Sequence, residues 1–183
     1  MLRRRRAPQD PLGQVDPAAV SPRFSRPVAD ALDARRRYVD LLAGVRDGPV
    51  RERLADAGGR LDAGVAAVWD IAQRATQVER TLAALDPERV TDEYKRAKRG
   101  GADPELEAAL AQRFGSVQRL LNALDDTDER LRLLDARLGA AVAGAAEVAL
   151  GASGAGGADR LGAELDGVVT DLGALRTALD ELG

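Results

Sequence analysis

PVRERLADAGGRLDAGVAAVWDIAQRATQVERTLAAL, residues 49–85, is the stretch on which the fold turns. Leu54, Leu61, Val68, Ala75 and Leu82 recur every seventh position, and Val50, Ala57, Gly64, Ile71, Val78 and Leu85 interleave with them at alternating spacings of three and four. A 3.5-residue period held over five heptads keeps a narrow apolar stripe on one side of a helix, which predicts a long helix packed along another helix. Gly58, Gly59 and Gly64 interrupt the pattern. Each glycine costs up to ~1 kcal/mol relative to alanine inside a helix, so the segment is expected either to kink there or to take a neighbour at unusually close range.

Working toward the N-terminus, Val28, Leu32, Val39, Leu42 and Val45 fall at helical spacing, with Ser25 as a cap and Pro27 in the first turn. Gly48 and Pro49 stop one helix and start the next, which predicts an antiparallel pair joined by a short turn. Residues 1–26 hold Pro8, Pro11, Pro17 and Pro22 without an apolar period, and are expected to form a disordered basic tail.

Toward the C-terminus, Asp86-Pro87-Glu88 and Asp103-Pro104-Glu105 are two helix-start signatures in close succession. The first opens a short segment ending at Gly100-Gly101. The second opens the longest pattern, in which Leu110, Val117, Leu124, Leu131, Leu138 and Ala145 lie seven apart, supported by Leu106, Phe114 and others. Unbroken to Leu150, this helix would span about 47 residues and ~70 Å at 1.5 Å per residue. Gly151 to Gly157 reads as a linker, and Leu161, Leu165, Val168, Leu172, Leu175, Leu179 and Leu182 mark a last helix. The expected organisation is therefore a tail over 1–26, a helical hairpin or bundle with a long third helix over 27–150, a Gly/Ala/Ser linker over 151–157, and a C-terminal helix over 158–183 docking on the bundle or on a partner. The fold class is all-α, an elongated antiparallel bundle or coiled-coil hairpin with heptad-patterned helices.

Composition narrows the chemistry. Of 183 residues, 45% are apolar but only 3% are aromatic, and there is neither His nor Cys. Thiolate metal sites, disulfides and cysteine or histidine catalysis are thereby excluded. There is no phosphate loop, and the glycine cluster at 151–157 follows no predicted strand. The net charge of −3 conceals a basic front and an acidic back, an asymmetry that can steer association. No secretory signal is visible after the Arg3–Arg6 run, and Leu138 to Ala158 is too rich in Ala and Gly for a membrane span. A cytoplasmic setting is the expectation by default.

Few stretches suggest a site. Asp125-Asp126-Thr127-Asp128-Glu129 resembles the DDxxE motif of class I terpene synthases, and that resemblance implies magnesium held against a diphosphate by a helical enzyme. It covers five residues, without a second metal motif or an aromatic-lined pocket. Two plainer readings stand beside it: a solvated stretch with an Asp126–Arg130 pair, or a helix break in which Asp125 or Asp128 caps a new helix near Glu129. Arg3, Arg4, Arg5 and Arg6 could contact phosphates of nucleic acid or an anionic membrane. The layout of long helices is broadly similar to that of the membrane-remodelling phage-shock family, though the amphipathic N-terminal helix of that family is missing. Lys95, Arg96, Lys98 and Arg99 suit the C-terminal end of a helix dipole, Arg35 to Arg37 point around a helix, and Trp69, Phe114 and Tyr38 are expected to pack. The sequence thus predicts a non-catalytic scaffold or interaction protein, with no cofactor, metal or small-molecule substrate. Its partner would be itself or another helical protein, met through Leu54, Leu61, Val68, Ile71, Val78, Leu82, Leu124, Leu131 and Leu138.

Overall fold

A computed structural model describes residues 12–101, 103–152 and 156–181. Five helices are present among them, α1 (Pro22–Gly44), α2 (Pro49–Leu85), α3 (Pro87–Gly100), α4 (Pro104–Ala149) and α5 (Gly157–Asp180), with a short 3-10 turn at Pro17–Ala19 and no strand. The all-α fold and the antiparallel α1–α2 hairpin are as the periodicity predicts. Gly48 carries the turn at φ +151°, a value that favours glycine.

Four helices make the bundle. α2 and α4 pack against each other, α1 lies along one side of that pair and α5 along the other, and α1 and α5 do not touch. Ion pairs give the directions. Arg60 on α2 reaches Asp166 on α5 at 3.0 Å, and two heptads further along Arg74 pairs with Asp180 at the same sequence offset. α2 and α5 therefore run parallel, while sequence neighbours in the bundle run antiparallel, an up-down-up-down arrangement. The last helix, α5, docks on the bundle against α2 and α4. α4 outruns its neighbours: Val117 is its first buried residue, and the preceding turns pair with α3 as a two-helix arm. In the arm, Tyr94 stacks on Phe114 at 4.8 Å and Arg113 donates to Glu93 at 3.0 Å.

The front of the chain departs from expectation. α1 begins at Pro22 rather than at Pro27, and the folded region reaches back to Leu12. Leu12, Val20 and Phe24 are buried in the core, and the Ser21 amide donates to Thr76 Oγ1 at 3.0 Å, fastening the start of α1 to α2. Residues 12–26 are thus part of the fold, and only 1–11 of the expected tail lie outside the described residues. Ser25 sits inside the helix with its hydroxyl on the Pro22 carbonyl. Pro27, also internal, removes one backbone donor, and the burial of Phe24, Pro27 and Val28 offsets that loss. The burial pattern was obscured because Phe24 stands alone among Pro, Arg and Ser.

The glycines of α2 resolve into different roles. The helix runs through them unbroken. At Gly58 a Cβ would lie 3.1 Å from Tyr38 Cε1, so this glycine admits the tyrosine ring, whose hydroxyl donates to the Leu54 carbonyl at 2.7 Å. Gly59 faces open space. Gly59→Ala is therefore expected to stabilise the chain by about 0.5–1 kcal/mol through helix propensity alone, which thermal unfolding would report as a rise of a few degrees.

Burial of Tyr38 pushes its phenol pKa up to about 12 from 10.0. Below pH 10 the group is neutral in both states. Between pH 10 and 12 the unfolded chain loses this proton and the native chain keeps it, so stability falls as pH rises through that window. The decline is no more than about 3 kcal/mol. Urea titrations at pH 9 and 11 should show it in the wild type, with that portion absent in Tyr38→Phe.

Candidate functional site

The predicted contact residues are used inside the monomer. Leu54, Leu61, Val68, Ile71, Leu82, Leu124, Leu131 and Leu138 are buried and Val78 is half-buried, all within one hydrophobic core. The seams pair within the chain, a possibility that periodicity alone leaves open. Not every patterned apolar residue is covered. Val50 and Leu85, first and last in their seam, are exposed, as are Leu106 in the arm, Val39 of the α1 period and Leu133 on the outer side of α4.

At the Val50 end the structure builds a groove. α1 ends and α2 begins there, and α4 ends beside them; Leu41, Val45, Val50, Ala146, Val148 and Leu150 line a cleft of about 740 Å³. That volume suits the side chains of a docked protein segment or a small apolar ligand. Its walls are held by backbone capping. Arg51 donates to the carbonyls of Leu42 and Val45 at 3.1 and 2.8 Å, closing the end of α1. At the end of α4, Gly151 takes φ +71°, its amide donates to Val148 and the Ala152 amide donates to Glu147, which is the Schellman arrangement. Leu150 is the capping residue of that motif and stands 84% exposed. An apolar side chain held outward by a formed cap leaves about 1.5–3 kcal/mol of burial free energy unrealised in the monomer.

A second concavity, polar in character, lies between α1 and α4. Arg23, Arg26, Asp30, Asp128, Arg132 and Asp135 line about 550 Å³. Asp128 is 8% exposed and pairs with Arg132 at 2.8 Å and Arg23 at 3.6 Å, while Arg23 also holds Asp125 at 2.7 Å. Burial, then the like charge of Asp30, raises the Asp135 pKa, with Arg37 and Arg26 opposing. The Arg23 pairs with Asp125 and Asp128 fix α1 against α4, while Asp135 is half-buried beside them without an ion pair among the described residues.

The acid cluster accordingly has a structural role. Its carboxylates do not converge: Asp125 and Asp128 serve Arg23, while Asp126 pairs with Arg130 at 3.0 Å. Among the described residues no group of three acidic side chains is placed to hold a metal ion. α4 passes through the cluster without interruption, so neither Asp125 nor Asp128 caps a new helix. The solvated reading fits Asp125, Asp126 and Glu129, whereas Thr127 and Asp128 are buried.

Other sequence candidates fall as follows. Arg3 to Arg6 lie outside the described residues. Lys95, Arg96, Lys98 and Arg99 end α3, with Lys98 over the Tyr94 ring. Arg35 and Arg36 pair with different carboxylates, Asp62 and Asp33, and Arg37 turns to the Asp33 carbonyl. Trp69 is half-buried against the core. No helix among the described residues is long and apolar enough to cross a membrane. The groove had only a faint sequence signal: Val50 next to the Gly48-Pro49 turn, and Leu150 at the end of a heptad run followed by Gly151. Compared with known proteins, the chain matches no family model, no curated protein and no solved structure.

Proposed function

We propose that this chain is a non-catalytic helical interaction protein of the cytoplasm that binds another protein through the groove at the α1–α2 turn and the end of α4. One observation carries the reading: the leucine seams are consumed internally, while Leu150 is held outward beside a preformed apolar cleft. The α2–α4 core supplies a rigid support for that cleft, and the polar clamp between α1 and α4 fixes its two walls. Contact with an anionic membrane or nucleic acid through Arg3–Arg6 is the runner-up, and no observation on the described residues favours it.

Proximity labelling in cells, comparing the wild type with a Val50→Asp/Leu150→Asp variant, tests the reading. Both positions are exposed, so the variant should keep its helical circular dichroism. The groove reading expects it to lose a defined set of neighbours, copies of the chain itself included; an unchanged set, self-labelling included, would refute it.

A further inference from the structure

The groove, its projecting leucine and its rim share one property: each supplies what another part of the same patch requires. Leu150 projects at the edge of a cleft whose apolar walls are Leu41, Val45, Val50, Ala146 and Val148. The rim at the turn carries Arg46, exposed and with no ion-pair partner among the described residues, directly followed by Asp47, whose side chain is 99% exposed despite its 3.3 Å contact with Arg51. A patch holding both an apolar projection and an apolar recess, and both a cation and an anion, can be complementary to itself. Such a patch forms an isologous contact, in which each element of one copy meets its counterpart on the other about a twofold axis.

Resting on the interaction reading above, we propose that the occupant of the groove is a second copy of this chain, docked end to end. Leu150 of each copy enters the cleft of the other, and Arg46 of each meets Asp47 of the other across the axis. The occupied groove removes from water the apolar surface that the monomer leaves exposed, and the paired charges set the register of the two copies.

Sedimentation equilibrium on the purified full chain tests this. The wild type should rise from 19.3 kDa toward twice that mass with increasing concentration, and Leu150→Asp should stay at the monomer mass while keeping its circular dichroism. Arg46→Asp and Asp47→Arg should each associate at least ~10-fold more weakly than the wild type, because each places like charges across the axis. Mixing these two variants should restore association, since every contact in the mixed dimer again joins opposite charges. A wild type that remains monomeric throughout, a Leu150→Asp variant that associates like the wild type, or a mixture no stronger than its components would each overturn the proposal. Failure here is separable from failure of the broader reading. A monomeric wild type whose groove variant still loses its neighbours in the labelling experiment points to a different protein partner, whereas a monomeric wild type with unchanged labelling removes the broader reading itself.

Discussion

Phe24→Ala is expected to destabilise the chain by about 3–5 kcal/mol, the range for truncating a fully buried phenylalanine. Phe24 is 0% exposed and sits one turn before Val28 in the core, yet its sequence neighbours are proline, arginine and serine. Removing the ring deletes its packing and also loosens the first turn of α1, where Pro27 already withholds one backbone hydrogen bond. Urea unfolding followed by circular dichroism would show the loss as a lower midpoint with little change in slope. A change within about 0.5 kcal/mol, the usual effect of a surface substitution, would mean that residues 12–26 do not contribute to the core. Pro22, exposed at the first position of the helix, is the natural neighbouring control.

Asp126→Pro should cost about 3 kcal/mol or more, because proline in a helix interior removes a hydrogen bond and collides with the preceding turn. The position is exposed, and its pair with Arg130 is worth only a few tenths of a kcal/mol. Asp126→Ala therefore isolates the backbone effect and should be close to neutral. A large difference between the two substitutions in thermal or urea unfolding establishes that α4 is continuous through the acid cluster. Equal, small effects would instead mean that a new helix starts there, since proline is welcome in a first turn. Continuity matters to the groove: α4 links the polar clamp at Asp128 and Asp135 to the wall formed by Ala146, Val148 and Leu150.

Much of the fold was legible because it rests on local repetition. The 49–85 seam located α2, the two Asp-Pro-Glu signatures located the starts of α3 and α4, and Asp86 and Asp103 do accept from Arg89 and Glu105 amides as caps. The start of α1 was misplaced because serine stands ahead of proline twice within residues 21–27, as Ser21-Pro22 and as Ser25-Arg26-Pro27, and the second lies nearer the periodic run. What decided between them was burial of Phe24, which depends on α2 being present to receive it. The same applies to Asp128. Its spacing among Asp125, Asp126 and Glu129 resembled a metal motif, but only the position of α1 makes Arg23 its partner.

The amino-acid sequence by itself determined helix content, the approximate extent of four of the five helices, the α1–α2 turn and the absence of His and Cys chemistry. These follow from side-chain periodicity, capping and residue inventory, all of which act within a few residues. Only the tertiary structure decided that the seams close inside the monomer, that α2 and α5 run parallel, that Gly58 makes room for Tyr38, and that Leu150 is left outside. The physical reason is that a heptad seam specifies a helical neighbour without specifying which one. That choice comes from the length and direction of the helices that meet: the same apolar repeat is buried where another helix lies over it, as at Leu54, Leu61 and Leu138, and bare where none does, as at Val50 and Leu150.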